Sequence, residues 1–228
     1  MEYRQLGRSG LRVSIIGLGG NTFGRYADEA QTAHVVHQAL DAGINFIDTA
    51  NIYNAGTSEE FLGKALQGRR DDVLIATKTG MTMGSGPNDS GSSRKHVIES
   101  CEASLRRLKM DVIDLFQIHV FDPRTPLEET LGALDDLVRT GKVRYIGCSN
   151  YDAWRAVQSL WISDREHFAR YISVQPEYNL LERDIERELV PACLEFGLGI
   201  IPYSPLAGGL LTGKYKPGEP PPENTRGH

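Results

Sequence analysis

The segment Asn-Phe-Ile-Asp-Thr-Ala-Asn-Ile-Tyr at residues 45–53 predicts a short buried strand that ends in a carboxylate. The apolar side chains of its first half follow Gly43, a residue type suited to ending the preceding helix. Asp48 closes the strand, and Tyr53 follows five residues later on the loop. Because an unpaired charge in a protein interior is strongly disfavoured, Asp48 is expected to have a positively charged partner.

Two further strand ends carry polar side chains. The strand predicted at residues 73–78 ends in Lys78, and the strand predicted at residues 112–118 runs into His119. Because the carboxyl ends of parallel strands lie at one edge of a sheet, Asp48, Lys78 and His119 are expected to meet there beside Tyr53. Three polar strand ends with a phenol between the first two are typical of an active site.

The alternation of helix and strand determines the predicted architecture. Strand starts near residues 44, 73, 111, 143, 171 and 198 alternate with amphipathic helices and lie roughly 30 residues apart. This period indicates parallel strands joined by right-handed crossovers. The predicted fold class is therefore α/β, a (β/α)8 TIM barrel. Residues 1–228 are interpreted as a single barrel domain.

The N-terminal residues and the number of strands complete this prediction. Residues 3–6 and 11–13 form a predicted β-hairpin around a glycine-containing turn. The first barrel strand is expected over residues 14–19, which gives seven barrel strands in all. A (β/α)8 barrel has eight strands, so the last βα unit is expected to be absent and the domain to be C-terminally incomplete.

Two helix predictions depend on local sequence signals. The helix at residues 58–66 is expected to begin at Ser58, whose hydroxyl would satisfy its N-terminus. Glu59 and Glu60 would be favourable in its first turn because they are negatively charged. A second helix is expected over residues 184–195, with the acidic residues 182–188 on a solvent-exposed face.

Composition and charge exclude several classes of function. The net charge of −5 gives no basic surface for nucleic acid. No apolar run approaches the roughly 20 residues that cross a bilayer. The three cysteines, Cys101, Cys148 and Cys193, are widely separated and odd in number, which indicates reduced thiols and a cytoplasmic location. No zinc-ligand spacing is present, so no metal is expected, and a homo-oligomer is left open.

The side chains at the predicted strand ends fit the delivery of a proton to a carbonyl oxygen. A phenol is a weak acid at neutral pH, but a neighbouring ammonium favours its ionised form. Asp48 would hold Lys78 charged and in position, and His119 would hydrogen-bond the oxygen that Tyr53 protonates. The carbonyl carbon must also receive a hydride, for which a nicotinamide cofactor is the natural source.

A larger set of motifs resembles the aldo-keto reductase family. The set covers nearly the whole chain and includes Asp48-Thr49-Ala50 with Tyr53, Ser58-Glu59, Thr77-Lys78, His119, Gly147 with Ser149-Asn150, Gln175 and Tyr203-Ser204-Pro205-Leu206. The resemblance implies that Asp48, Tyr53, Lys78 and His119 form the family's catalytic tetrad. It also implies NADP(H)-dependent reduction of aldehydes and ketones to alcohols, with Tyr53 as general acid.

The same resemblance implies the residues that bind the cofactor. Ser149, Asn150 and Gln175 would hold the nicotinamide carboxamide, and Tyr203 would stack on the ring. The full cofactor-binding set is Asn21, Thr22, Asp48, Ser149, Asn150, Gln175, Tyr203, Ser204, Leu206, Ala207, Gly208 and Lys214. The cofactor is expected to be NADP(H), with NAD(H) left open because the family's adenosine-phosphate segment is absent.

Two alternative functions stay open. Residues 203–214 resemble bacterial reductases related to potassium-channel β subunits, which allows a regulatory subunit that holds the cofactor with little turnover. The other is a Schiff-base lyase using Lys78, although a nearby carboxylate keeps a lysine charged and unreactive. For the leading function the partner is a small-molecule carbonyl substrate, with small and aromatic aldehydes as the family's usual substrates. The pocket rim is expected from loops 24–27, 81–93 and 121–124.

Overall fold

An N-terminal hairpin closes one end of the molecule in the computed structural model, which describes residues 1–216 and 218–222. Strand β1 (Tyr3–Gln5) pairs antiparallel to β2 (Arg12–Ser14), as predicted. The hairpin turn packs on a later part of the chain, where the Arg8 N–H donates to Gly197 O at 2.8 Å. Gly7 has φ +59°, and a Cβ there would lie 2.5 Å from Gly197 O, so this close approach requires glycine.

Seven parallel strands form the main sheet, and their order in the sheet follows the chain. They are β3 (Leu18–Gly19), β4 (Phe46–Asp48), β5 (Leu74–Thr79), β6 (Ile113–Ile118), β7 (Val143–Ser149), β8 (Tyr171–Gln175) and β9 (Gly199–Ile200). This sequential parallel order is that of a TIM-type barrel and confirms the predicted α/β class. No eighth barrel strand lies among the described residues. The single-domain interpretation stays a prediction, and Pro217 and residues 223–228 lie outside the described part of the chain.

Within the described ranges, six α-helices connect consecutive strands of the sheet. They are α1 (Glu29–Asp41), α2 (Thr57–Ala65), α3 (Arg94–Leu108), α4 (Leu127–Arg139), α5 (Ala153–Glu166) and α6 (Leu189–Phe196). Every side chain of β6 is buried, because the helices cover one face of the sheet and the barrel interior covers the other. No helix of residues 1–216 or 218–222 combines the length and apolar character needed to cross a bilayer.

The three cysteines lie in the core between sheet and helices. Cys101 of α3, Cys148 of β7 and Cys193 of α6 are buried free thiols. Burial raises the pKa of Cys101 to about 12 and that of Cys193 to about 11, and it also raises the pKa of Cys148. These side chains therefore act as small apolar fillers of the core.

The prediction of a buried strand over residues 14–19 is wrong for most of that segment. Only Leu18–Gly19 pairs with β4, and the side chains of Ile15 and Ile16 are exposed. Ser14 explains the difference, because its Oγ donates to Ile16 O at 2.7 Å and its N–H donates to Asn45 Oδ1 at 2.7 Å. These bonds turn the chain before it joins the sheet.

The prediction of one helix over residues 184–195 is also wrong. The segment holds a 3-10 turn at Asp184–Glu186, followed by α6 from Leu189. Pro191 explains the late start, because proline lacks an N–H and is tolerated only in the first turn of a helix. The acidic residues before α6 therefore lie on an exposed turn and not on a helix face.

Ser58 has a different role from the predicted helix cap. Helix α2 begins at Thr57, with Gly56 at its N-cap and no capping side chain. Ser58 Oγ donates to Gly20 O at 2.8 Å and lies 2.8 Å from Thr49 Oγ1. Ser58 therefore joins the start of α2 to the ends of β3 and β4.

Glu59 is a buried charge that ties α2 to the strand carrying Lys78. Its carboxylate is fully buried and accepts hydrogen bonds from Thr77 Oγ1 at 2.6 Å and from Arg107 Nε at 2.7 Å. Thr77 directly precedes Lys78 in β5, and Arg107 lies in the last turn of α3. The Glu59–Arg107 ion pair therefore fixes two helices against the end of β5.

Glu59→Ala is expected to lower the free energy of unfolding by roughly 3 kcal/mol or more, because it leaves the Arg107 charge without its partner. Glu60→Ala, at the exposed neighbouring position, is the matched control and should change stability by less than about 0.5 kcal/mol. Chemical denaturation followed by circular dichroism measures both values. Equal losses in the two variants would contradict this role of the ion pair.

Candidate active site

The carboxyl ends of β4, β5 and β6 bring the three predicted polar residues together. Asp48 is the last residue of β4, Lys78 is the last but one of β5, and His119 directly follows β6. Tyr53 begins a 3-10 turn, Tyr53–Gly56, after β4. Its ring packs edge to face on the His119 ring, with the ring centroids 5.8 Å apart. The four side chains therefore form one cluster.

The ammonium of Lys78 has an oxygen acceptor for each of its three N–H groups. It donates to Asp48 Oδ2 at 2.5 Å, to Thr49 O at 2.9 Å and to Tyr53 Oη at 3.4 Å. The Lys78 side chain is fully buried, whereas that of Asp48 keeps 16% of its surface exposed. This arrangement holds a positive charge beside the phenol oxygen, out of contact with water.

The second carboxylate oxygen of Asp48 binds two buried amides. Oδ1 accepts from Gln175 Nε2 at 2.9 Å and from Gln117 Nε2 at 3.1 Å. Gln117 is not among the residues predicted from the sequence, although a signal for it exists. Gln117 is a polar residue in an apolar strand, two residues before His119, and residues two apart on a strand point to the same face.

His119 is neutral at physiological pH. Burial, followed by the nearby charge of Lys78, lowers the pKa of His119 from its usual 6.5 to about 4, although Asp48 acts in the opposite direction. Among the described residues, its buried Nδ1 has no hydrogen-bond partner. Its backbone oxygen accepts from Asn150 Nδ2 at 2.9 Å, which links His119 to the end of β7.

The residues predicted to hold a carboxamide form a second cluster beside the first. Ser149 Oγ donates to Gln175 O at 2.7 Å, and Asn150 Nδ2 donates to Ser149 Oγ at 3.1 Å. Tyr203 Oη donates to Asn150 Oδ1 at 3.0 Å, which fixes the Tyr203 ring at the strand ends. Gln175 belongs to both clusters, because its amide nitrogen bonds Asp48.

The remaining predicted cofactor residues lie in two turns. Asn21 and Thr22 follow β3, next to Gly20, whose N–H donates to Asp48 O at 2.7 Å. The other turn contains Ser204, Leu206, Ala207 and Gly208, with Lys214 beyond the 3-10 helix Ala207–Thr212. It follows Tyr203, whose N–H donates to Pro176 O at 3.0 Å beyond the end of β8. The first turn adjoins the Asp48 cluster, and the second begins beside the Tyr203 cluster.

Asp122 joins two of the loops expected at the pocket rim. Its Oδ2 accepts from the Ser92 N–H at 2.9 Å and from Thr125 Oγ1 at 2.8 Å, and its Oδ1 accepts from the Arg124 N–H at 3.0 Å. Burial acts to raise the pKa of Asp122, but the hydrogen bonds bring it below its usual range. The loops at residues 81–93 and 121–124 are therefore fastened to each other.

A comparison with protein-family models shows to which family the chain belongs. The model of the aldo/keto reductase family matches residues 15–228. The chain belongs to the aldo/keto reductase family. The resemblance inferred from the sequence motifs is thereby confirmed, and the parallel sheet with helical crossovers agrees with the barrel fold that it implies.

The chain is similar to relatives whose names refer to different functions. It is 45% identical over 225 residues to the uncharacterized oxidoreductase YrpG of Bacillus subtilis. The aligned region covers 94% of this chain and 69% of YrpG. It is 41% identical over 229 residues to a probable voltage-gated potassium channel subunit beta of Oryza sativa subsp. japonica, and the alignment covers 98% of this chain and 70% of the relative. It is 40% identical over 229 residues to the L-glyceraldehyde 3-phosphate reductase of Escherichia coli K12, and the alignment covers 96% of this chain and 66% of the relative.

His119→Gln is expected to make the stability of this aldo/keto reductase less dependent on pH between about 4 and 6.5. In that window the unfolded chain binds a proton at His119 that the folded chain does not bind, so stability falls as the pH is lowered. The loss across the window is on the order of 1–3 kcal/mol, and glutamine removes it.

Urea denaturation at the two ends of this pH window measures the difference. His34→Gln, at an exposed position on α1, is the control and should leave the pH dependence unchanged. An unaltered pH dependence in His119→Gln would mean that the folded chain binds this proton as readily as the unfolded chain.

Proposed function

We propose that this chain is an NADP(H)-dependent oxidoreductase that reduces aldehydes and ketones to alcohols. The observation that carries the proposal is the contact of the buried Lys78 ammonium with both Asp48 and Tyr53 Oη. A cation in a water-excluded site stabilises the negative charge that a phenol acquires when it gives up its proton. Asp48, Tyr53, Lys78 and His119 are the proposed catalytic residues.

Tyr53 is the proposed general acid. Its Oη–H passes a proton to the carbonyl oxygen of the substrate, and the phenolate that remains faces Lys78. Asp48 keeps the ammonium in place, since one carboxylate oxygen binds Lys78 and the other binds two amides. The carboxylate therefore has a fixed orientation during the transfer.

His119 fits a hydrogen-bonding role better than the role of acid. With a pKa of about 4, its imidazole is neutral at pH 7 and carries no second proton to give away. A neutral imidazole donates one N–H, which would hold the carbonyl oxygen against Tyr53 without a transfer of charge. This supports Tyr53 as the proton source.

The nicotinamide end of the cofactor is proposed to lie against the second cluster. Gln175 uses its Nε2 on Asp48, so its amide oxygen is the group that would accept from a carboxamide. Ser149 and the exposed Asn150 would complete the contacts, and Tyr203, fixed by Asn150, offers an aromatic face to a planar ring. These groups fit a nicotinamide. When bound, it would supply the hydride that the carbonyl carbon needs.

The rest of the cofactor is proposed to lie along the two turns. Asn21 and Thr22 adjoin Asp48, Leu206 lies within the second turn, and Lys214 follows it. Ser204, Ala207 and Gly208 have φ values of 52°, 47° and 66°. Turns with such left-handed residues form concave sites that aim backbone N–H groups at anions, which supports pyrophosphate binding there. NADP(H) is the proposed cofactor, and NAD(H) is the alternative.

Small and aromatic aldehydes are the proposed substrates. The name of the Escherichia coli relative, L-glyceraldehyde 3-phosphate reductase, supports a small aldehyde. Aromatic aldehydes are proposed because the family's usual substrates, as the sequence motifs imply them, include aromatic aldehydes. A cytoplasmic location and a homo-oligomer stay predictions.

A regulatory subunit that holds the cofactor with little turnover is the second candidate function. The 41% identity to the Oryza channel subunit beta favours it. Both functions share the cofactor site, so consumption of NADPH with a panel of aldehydes separates them. The Schiff-base alternative has little support, because a nucleophilic lysine must be neutral and Lys78 donates all three N–H groups of an ammonium.

Tyr53→Phe is expected to lower the rate of aldehyde reduction by about 10² or more, because it removes the hydroxyl that supplies the proton. Affinity for NADPH should hold. Lys78→Met acts on the same step. The rate of aldehyde reduction in the Tyr53→Phe, Lys78→Met double variant should therefore be little lower than in the slower of the two single variants. Steady-state kinetics with NADPH absorbance and a fluorescence titration of NADPH measure both quantities.

Tyr3→Phe is the control for Tyr53→Phe, since it removes a hydroxyl that donates to Gly43 O in the hairpin region. It should retain the parental rate. A Tyr53→Phe enzyme that reduces aldehydes near the parental rate, or losses that multiply in the double variant, would overturn this mechanism.

Tyr203→Ala is expected to weaken NADPH binding several-fold, because stacking of an aromatic ring is worth about 1 kcal/mol beyond area burial. Tyr203→Phe is the matched control, since it keeps the ring and loses only the bond to Asn150. Fluorescence titration measures both affinities, and thermal denaturation confirms that the variants fold. Unchanged affinity in Tyr203→Ala would rule out the stacking role.

A further inference from the structure

Gln117 is a fully buried amide at the centre of the sheet, between the catalytic cluster and the cofactor cluster. It pairs in register with Lys78 on β5 and with Gly147 on β7. Its Nε2 donates to Asp48 Oδ1 at 3.1 Å, and its Oε1 lies 3.4 Å from Gln175 Nε2. A buried glutamine must find partners for its polar atoms, and both partners found here belong to the site.

The orientation of the Gln117 amide is fixed by chemistry. A carboxylate only accepts hydrogen bonds, so the NH₂ group of Gln117 must face Asp48, and a reversed amide would place two acceptors against each other. The same reasoning fixes Gln175, whose Nε2 lies 2.9 Å from the same carboxylate oxygen. The two amides therefore hold Asp48 Oδ1 from β6 and β8.

This pair of donors determines which way the carboxylate faces. Asp48 keeps part of its surface exposed, so an Oδ1 without protein donors would turn toward solvent. With Oδ1 held, Oδ2 is directed at Lys78, and the remaining N–H groups of Lys78 reach Thr49 O and Tyr53 Oη. The side-chain hydrogen bonds of Gln117 go to Asp48 and Gln175 and not to Tyr53, so Gln117 acts through Asp48.

We propose that Gln117 is a positioning residue for proton transfer, which orients the Asp48 carboxylate and through it the Lys78 ammonium beside Tyr53. This inference rests on the proposed reductase function and adds a residue to it. The competing explanation is that Gln117 only fills the barrel interior. A space-filling role predicts losses of stability without a loss of kcat, whereas a positioning role makes the reaction sensitive to the charge at residue 117.

The charges around Gln117 make a substitution by glutamate informative. Among the described residues bonded to Gln117 or paired with it in the sheet, two are charged, Asp48 on β4 and Lys78 on β5. Gln175 of β8 and Gly147 of β7 are uncharged. His119 follows Gln117 at the end of the same strand. Two carboxylates about 3 Å apart cannot both ionise readily. At low pH the introduced carboxyl would keep its proton and donate an O–H to Asp48, as the amide does. At high pH it would add a second negative charge beside Lys78.

The test compares Gln117→Leu and Gln117→Glu with the parental chain, using kcat for aldehyde reduction across pH at saturating NADPH. Gln117→Leu is expected to lower kcat by about 10- to 100-fold at every pH, since misplaced catalytic groups cost rates of that order. Gln117→Glu should stay within about threefold of the parental kcat near pH 6 and fall at least about tenfold below it near pH 9, because the introduced carboxyl ionises. Ser173→Ala is the control and should match the parental chain at both pH values. Ser173 Oγ is buried in β8 without a hydrogen-bond partner among the described residues.

A second measurement uses the protein without cofactor or substrate. The melting temperature of Gln117→Glu should fall further below that of the parental chain as the pH rises, because the folded chain holds a proton that the unfolded chain releases. In the Asp48→Asn background this pH dependence should shrink by at least about half, because the neighbouring negative charge is gone.

Each outcome decides a different question. A pH-independent kcat ratio for Gln117→Glu, or a Gln117→Leu enzyme with parental kcat, overturns the positioning role. A melting difference that is the same with Asp48 and with Asn at position 48 overturns the contact itself. A parental chain that reduces no aldehyde contradicts the proposed function alone, since the cofactor-free measurement still supports or overturns the positioning of Asp48 by Gln117.

Discussion

The ion pair between Lys78 and Asp48 is the interaction on which the rest of the structure depends. Removing a lysine and a carboxylate from water costs several kcal/mol for each ion, and their attraction offsets this only when the remaining polar atoms are also bonded. Lys78 is fully buried and meets three oxygens, while Asp48 meets one ammonium and two amides. Each of these partners comes from a strand end or the loop that follows it, so the charge pair and its partners tie the ends of β4, β5, β6 and β8 together.

A second layer of buried polar contacts supports this pair from behind. Glu59 and Arg107 fasten α2 and α3 to Thr77, and Ser58 connects α2 to the backbone beside Asp48. The cluster of Asp48, Tyr53, Lys78 and His119 thus lies at the ends of strands that are fixed by helices, whereas the expected rim consists of loops. This division fits a family in which the chemistry is shared and substrates differ, because loops accept changes in sequence that strands do not.

The sequence identifies most of the fold and of the site because both rest on local patterns. Alternating strands and helices, and polar residues at strand ends, are visible without any knowledge of distant contacts. The errors have physical causes, two of them contacts between residues far apart in sequence, that the patterns do not contain. Ser14 bends the chain through bonds to Asn45 and Ile16, Pro191 delays α6, and Ser58 serves a neighbouring backbone oxygen and not its own helix. Gln117 was not predicted because its hydrogen bond to Asp48 joins residues 69 positions apart, and its polar type within β6 was the one local signal.

The three core thiols have a consequence for how the protein withstands oxidative stress. The thiolate form of cysteine attacks peroxides and disulfides, and these oxidants must reach the sulfur for the reaction to occur. Cys101, Cys148 and Cys193 are enclosed by side chains, and burial raises their pKa values so far that almost none of their sulfur is ionised at neutral pH. A member of the family built in this way keeps its own sulfur chemistry silent, so oxidants have no thiol switch in this chain through which to act.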